Sequence, residues 1–196
     1  MRAQYAQSGL GASAARQMDD SMALKALKNW FGGKDDAAGV RLLYEAIIAE
    51  ARLPHWYIEG HVADSIDGRF DMVNVVLALV LIRMEALGHE ADVPSSLLAE
   101  SFVTDMDGQL RELGIGDIVV GKHIGRMMGA LGGRLGAYRE GFGAGGDPRD
   151  ALLRNVYRGQ TPDVRALDHV VAALALLSEK LSAVSLSRLL EGKLEP

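Results

Sequence analysis

Apolar positions recur at helical spacing along most of the chain. Val40, Leu43, Tyr44, Ile47 and Ile48 fall on one face at the i, i+3, i+4, i+7 spacing, which predicts an amphipathic helix over Ala38–Leu53. Pro54 ends it, because the residue before a proline is pushed out of the α region. A second pattern runs from Arg69 to Leu87. Phe70, Val73, Val76, Leu77, Val80, Leu81 and Met84 make a broad face, and Val75, Leu79 and Ile82 cover much of the rest. A helix apolar nearly all round is a buried one. Pro94 and Ser95 open a third helix through Leu97, Leu98, Phe102, Met106 and Leu110, and Gly114 and Gly116 break it. Asp117 caps a fourth, from Ile118 to Phe142. After the loop GAGGDP come a short helix at Asp150–Tyr157, a long one at Val164–Leu181 led in by Thr161-Pro162-Asp163, and a last one at Ser185–Leu190. No strand alternation and no internal repeat interrupt the series. The pattern predicts an all-α fold without a β-sheet: one compact multi-helix domain over 34–196, built around a central buried helix at about 69–87.

Upstream of that domain, residues 1–20 are polar and alanine-rich and read as a mobile arm. The stretch SMALKALKNWFGG predicts a short amphipathic helix, capped by Ser21 and ended by Gly32 and Gly33. It suits either docking on the core or an interfacial position with Trp30 and Phe31 among lipid headgroups. Docking is favoured, since one short helix with two lysines is a weak membrane signature. No secretory signal is visible, and no stretch reaches the ~18 uninterrupted apolar residues of a membrane span.

Between the first two confident helices lies LPHWYIEGHVADSIDGRFDM, Leu53–Met72, too polar for a core element and too rich in aromatics and charges for a linker. Asp64, Asp67, Arg69 and Asp71 here, with Asp105, Asp107, Arg111 and Asp117 further on, predict a structural polar cluster. Ion pairing among Asp67, Arg69, Asp107 and Arg111 is expected to hold this connector against the third helix; Arg69 is then either buried and paired, or exposed with a surface recognition role.

Composition narrows the function classes. Cysteine is absent, which excludes disulfides, thiolate metal sites and cysteine nucleophiles. The net charge of −5 argues against a nucleic-acid-binding polycation. The helical Glu-x-x-His pair of a di-iron bundle is missing, as are HExxH, a G-x-S-x-G elbow and a phosphate loop. Neither a catalytic centre, a metal site nor a cofactor is expected. The fourth helix carries a ladder instead: Gly121, Gly125, Gly129 and Gly133, continued by Ala137 and Gly141. Glycine costs a helix about 1 kcal/mol relative to alanine, so four in one register imply a close contact. The contact is either tight packing on the chain's own central helix, which is favoured, or a groove for a helix of another polypeptide. Lys122, Arg126, Arg134 and Arg139 read as the outer face, with Met127 and Met128 as adaptable apolar surface.

The strings RLPHWYIEGHVADSIDGRFDMVNVVLALVLIRM and FVTDMDGQLRELGIGDIVVGKHIGRMMGALGGRLGAYREGF resemble the ubiquinol–cytochrome c chaperone family, over about Val40 to Phe142. The elements that carry the resemblance are Trp56–Tyr57, Asp64 to Asp71 with its GRF triplet, Asp105 to Asp117, and Val120 to Lys122. Where the family often has histidine after GRF, this chain has Asn74. The resemblance implies a non-enzymatic assembly factor of the respiratory bc1 complex that binds newly made cytochrome b; its mitochondrial members work with a partner assembly factor near the ribosome, and the need for such a partner is not implied for a bacterial member. It implies a cytoplasmic protein peripheral to the inner membrane in bacteria, or one on the matrix side in mitochondria, without specific nucleic-acid binding. Candidate client contacts are Trp56, Tyr57, Lys122, Gly125, Arg126, Met128, Gly129 and Gly133. The alternative is a helical binding protein or enzyme for a quinone or lipid that uses the 55–71 connector.

Overall fold

The computed structural model describes residues 36–112 and 117–196, and of residues 109–112, 117–128 and 130 the backbone alone. The predicted amphipathic helix at 21–31 and the arm before it lie outside the described residues. Helix α1 spans 36–51. It is followed by α2 (His55–Ile58), α3 (Ile66–Leu87), a 3-10 turn (His89–Ala91), α4 (Asp92–Glu112), α5 (Asp117–Phe142), α6 (Arg149–Asn155), α7 (Val164–Ser182) and α8 (Leu186–Leu190). No strand occurs among the described residues. The all-α expectation holds.

Helix α3 is the axis. Every residue from Asp71 to Val80 is buried, and α4, α5 and α7 pack around it. Its apolar faces meet Leu98, Phe102 and Met106 of α4, Leu131 and Tyr138 of α5, and Val170, Leu174 and Leu177 of α7 within one continuous core. Phe70 stacks on Phe102 at 6.0 Å between ring centroids. Helix α1 adds Val40, Leu43, Ile47 and Ala51, and α8 closes over its start, with Leu190 against Gly39.

The ends of the helices show why these residues stand where they do. The last carbonyls of a helix lack intrahelical partners. At the end of α1 they are met by the aromatic pair of α2: the Trp56 indole donates to the Glu50 carbonyl at 2.8 Å, and the Tyr57 hydroxyl to that of Ala51 at 2.7 Å. Arg83 of α3 donates through Nε and Nη2 to the Val184 carbonyl, just past α7, at 3.0 and 2.8 Å. Helix α3 begins on Ser65, whose hydroxyl accepts from the Gly68 amide at 3.2 Å.

At Gly68 two effects oppose each other. Alanine would favour the helix by about 1 kcal/mol, but its methyl group would overlap the Ala63 carbonyl. Backbone overlap in a tight turn wins, because such overpacking costs ~1–3 kcal/mol. Gly68→Ala is therefore expected to lower the urea midpoint. An unchanged or raised midpoint would show that residues 63–65 can retreat.

Candidate functional site

The connector between α1 and α3 proves to be the edge of the core rather than a polar surface strip. Trp56 is 1% exposed, and Gly60, Val62 and Gly68 are buried with it. Gly60 presses between the Trp56 carbonyl and Val170, where an added methyl would sit 2.5 and 2.6 Å away. The Gly60 carbonyl accepts from the Tyr157 hydroxyl at 2.7 Å. His61 takes a left-handed φ of 49° to make the turn that follows.

The polar cluster is organised differently from the sequence expectation. Its centre is Asp71, whose side chain is 0% exposed. Arg158 donates through Nε to Asp71 at 2.6 Å and through Nη1 to Asp67 at 2.7 Å. Arg134 of α5 brings Nη2 to 3.2 Å from the other Asp71 oxygen. Burial pushes the Asp71 carboxyl above the ordinary range, and the two guanidiniums pull against it. Arg158 holds its position with a left-handed φ of 54°, ahead of Gly159 at 79°. For a non-glycine residue that conformation costs ~1–2 kcal/mol, which the double ion pair opposes.

Of the two readings for Arg69, the buried pair does not hold: its side chain is exposed. It pairs with Asp64 at 2.7 Å and lies over the Tyr57 ring at 6.0 Å. The connector is thus held against the turn after α6 and against α5, not by Arg69 against α4. Asp105 belongs to another contact and accepts from the Tyr44 hydroxyl at 2.8 Å. Asp107 is half-buried in α4, while the side chains of Arg111 and Asp117 lie outside the described residues. Arg134, placed on the outer face by its spacing, turns inward and keeps only 18% side-chain exposure. Arg139 does face outward and pairs with Glu85 at 2.7 Å. Arg158 escaped sequence reasoning altogether.

Helix α5 shows a second feature. Its inner side carries the buried Leu131 and Tyr138, together with Arg134. Above Gly129, Gly132, Gly133 and Gly136 there is open space among the described residues: an added methyl would meet nothing of theirs within 4 Å. Further along, the ladder does meet the domain: Ala137 packs against the core, and at Gly141 an added methyl would approach Pro148 to 2.7 Å. At Gly129 and Gly133 the favoured expectation, close packing on the chain's own helices, fails. The side chains of Lys122, Arg126, Met127 and Met128, and the surroundings of Gly125, lie outside the described residues.

The α2 histidine reaches α7. His55 Nδ1 lies 2.9 Å from His169 Nε2, with the rings near perpendicular at 75°. Among the described residues no three histidines or carboxylates gather closely enough to hold a metal ion, and no helix is long and apolar enough to cross a membrane.

Residues 59–195 match the family model described as ubiquinol-cytochrome C chaperone. The chain belongs to the ubiquinol–cytochrome c chaperone family. The match begins later than the strings noted in the sequence and runs on through α6, α7 and α8, so it includes Arg158. The chain is also similar to the crystal structure of the Cbp3 homolog from Brucella abortus, at 29% identity and a TM-score of 0.73, covering 86% of this chain and 93% of that one. Among curated proteins there is no match. The element that first suggested the chaperone family now has a physical reading in this chain. Asp64 pairs with Arg69, Ser65 caps α3, Gly68 fits where a methyl cannot, Phe70 stacks on Phe102, and Asp71 is the buried anion.

Asp71→Asn keeps the volume and removes the charge. Breaking a buried ion pair costs ~3–5 kcal/mol, so a loss of about 3 kcal/mol is expected in urea unfolding. A loss below about 1 kcal/mol would mean that the carboxyl is already protonated in the fold. Arg69→Ala should change stability little, since that pair is solvated.

The histidine pair gives a pH prediction. Burial first, then His169, hold the His55 pKa below its ordinary value, against a smaller opposing pull from Glu59. The unfolded chain therefore takes up the proton first. Stability is present above the unfolded pKa of about 6.5 and falls as pH drops through it toward the lower folded value. His89 acts oppositely: Asp92 raises its pKa, so its contribution is present at low pH and lost as pH rises. The urea midpoint of His55→Gln should fall less than that of the parent between about pH 7.5 and 5.5. Parallel declines would refute the assignment.

Proposed function

We propose that this protein is a non-enzymatic chaperone for newly made cytochrome b during assembly of the bc1 complex, and that it receives an apolar client helix on the outer side of α5. Membership of the chaperone family supports the function class. The surface rests on one observation, the open space over Gly129, Gly132, Gly133 and Gly136. A glycine-floored face lets a second helix approach closely, and backbone exposed in this way is otherwise a cost to the helix. Gly125 shares the four-residue spacing of Gly129 and Gly133. It extends the proposed floor, with Lys122 and Arg126 as rim charges and Met128 as an adaptable wall. Tyr57, half-buried beneath Arg69, is kept as a peripheral contact, whereas Trp56 is occupied as part of the core. The setting proposed is the cytoplasmic surface of the inner membrane, or the matrix side in a mitochondrion, beside a ribosome or a partner assembly factor. The quinone or lipid alternative depended on the polar connector, whose His55, Asp64, Asp67, Arg69 and Asp71 all have protein partners.

Gly129→Leu and Gly133→Leu test the surface. Neither side chain would meet a neighbour at its first carbon, and leucine is the better helix former by roughly 1 kcal/mol. Thermal stability is expected to hold or rise, while co-purification of cytochrome b is lost. Capture at the parental level by both stable variants would exclude this face.

A further inference from the structure

Residues of α1 and α4, joined by the Tyr44–Asp105 hydrogen bond, line a groove of about 430 Å³, with Ala37, Val40, Tyr44 and Leu97 giving it apolar surface and Glu100 and Asp105 negative charge. Its hydroxyl groups are satisfied within the domain. Ser101 donates to the Leu97 carbonyl at 2.9 Å, Thr104 to that of Glu100 at 2.8 Å, and Tyr44 to Asp105. A smaller depression of about 300 Å³ adjoins it at Glu100 and Thr104 and is lined by Ala99 and Val103. The result is a trough of mixed lining, apolar at Ala37, Val40, Tyr44 and Leu97 and acidic at Glu100 and Asp105, opening beside the first turn of α1.

The chain enters α1 at that place. Four residues, Gly32 to Asp35, separate Phe31 from the start of α1. At ~3.3–3.6 Å per residue they let Phe31 lie no more than about 18 Å from residue 36. The segment they tether is complementary to the trough: Leu24, Leu27 and Phe31 repeat at helical spacing, Trp30 is next to them, and Lys25 and Lys28 supply positive charge. A helix this short is marginal alone in water and forms only against a surface.

We propose that residues 22–31 of this same chain fold as a helix into the α1–α4 groove, with Trp30 filling it and Lys25 and Lys28 facing Glu100 and Asp105. The competing occupants are a lipid surface, which the same aromatic and basic residues would suit, and the corresponding segment of a second copy. Docking is independent of the client surface on α5.

Hydrogen exchange on the full chain, read by mass spectrometry without lipid, decides between them. Docking slows the amides of 22–31 about tenfold or more relative to an unstructured peptide. Leu97→Asp should abolish that protection and leave α3 protected. Should Leu97→Asp disturb α3, the surface charge variants carry the test: Lys25→Glu with Lys28→Glu releases the segment, and adding Glu100→Lys restores it. Unprotected exchange of 22–31 in the lipid-free chain would overturn the docking. So would protection that arises only on adding phosphatidylglycerol–phosphatidylethanolamine vesicles, or protection that disappears on dilution, the sign of a second copy.

Discussion

A helix that is apolar on every side has no reason to prefer one rotation or one axial position over another. Helix α3 is such a helix from Val75 through Val80. Hydrophobic burial drives it inside but is non-directional. Asp71 supplies the direction. A carboxylate with no exposed surface must meet its cations where they stand, and these come from two places: Arg158 on the turn after α6 and Arg134 on α5. Rotating α3 by one residue would carry Asp71 about 100° away from both. Such a pair adds little net stability compared with an apolar replacement. What it adds here is a single register, and α4, α5 and α7 are then packed around a helix that cannot turn.

The same constraint explains which parts of the fold were readable. Helices declare themselves locally, through spacing, caps and prolines. The predicted α1, α4, α5, α7 and α8 differ from the observed ones by a few residues at their ends. The connector was harder, because its polar residues look like surface until their partners are known. Trp56 and Tyr57 read as a recognition pair, yet their polar atoms complete the end of α1, as expected of aromatics that bury a ring and need one hydrogen bond. Arg158 could not be found from pattern at all. Its partner is 87 positions away, and its immediate neighbours mark only a turn. Arg134 misled through its length: a guanidinium on a long stem reaches from the flank of a helix into the core.

The glycines of α5 raise the opposite question, namely how so many can be kept without melting the helix. At about 1 kcal/mol each relative to alanine, the open positions Gly129, Gly132, Gly133 and Gly136 alone set several kcal/mol against it. The compensation lies on the other side of the same helix. Leu131 and Tyr138 are buried, Arg134 reaches Asp71, Arg139 pairs with Glu85, and Gly141 closes on Pro148. The ion pair that fixes α3 therefore also fixes α5. Under the client-binding role proposed for this face, an exposed backbone that was loose would lose entropy on binding, and that cost would be taken from affinity. A helix pinned from behind presents its bare face already ordered, so the buried anion at Asp71 and the open face at Gly129–Gly136 are two ends of one arrangement.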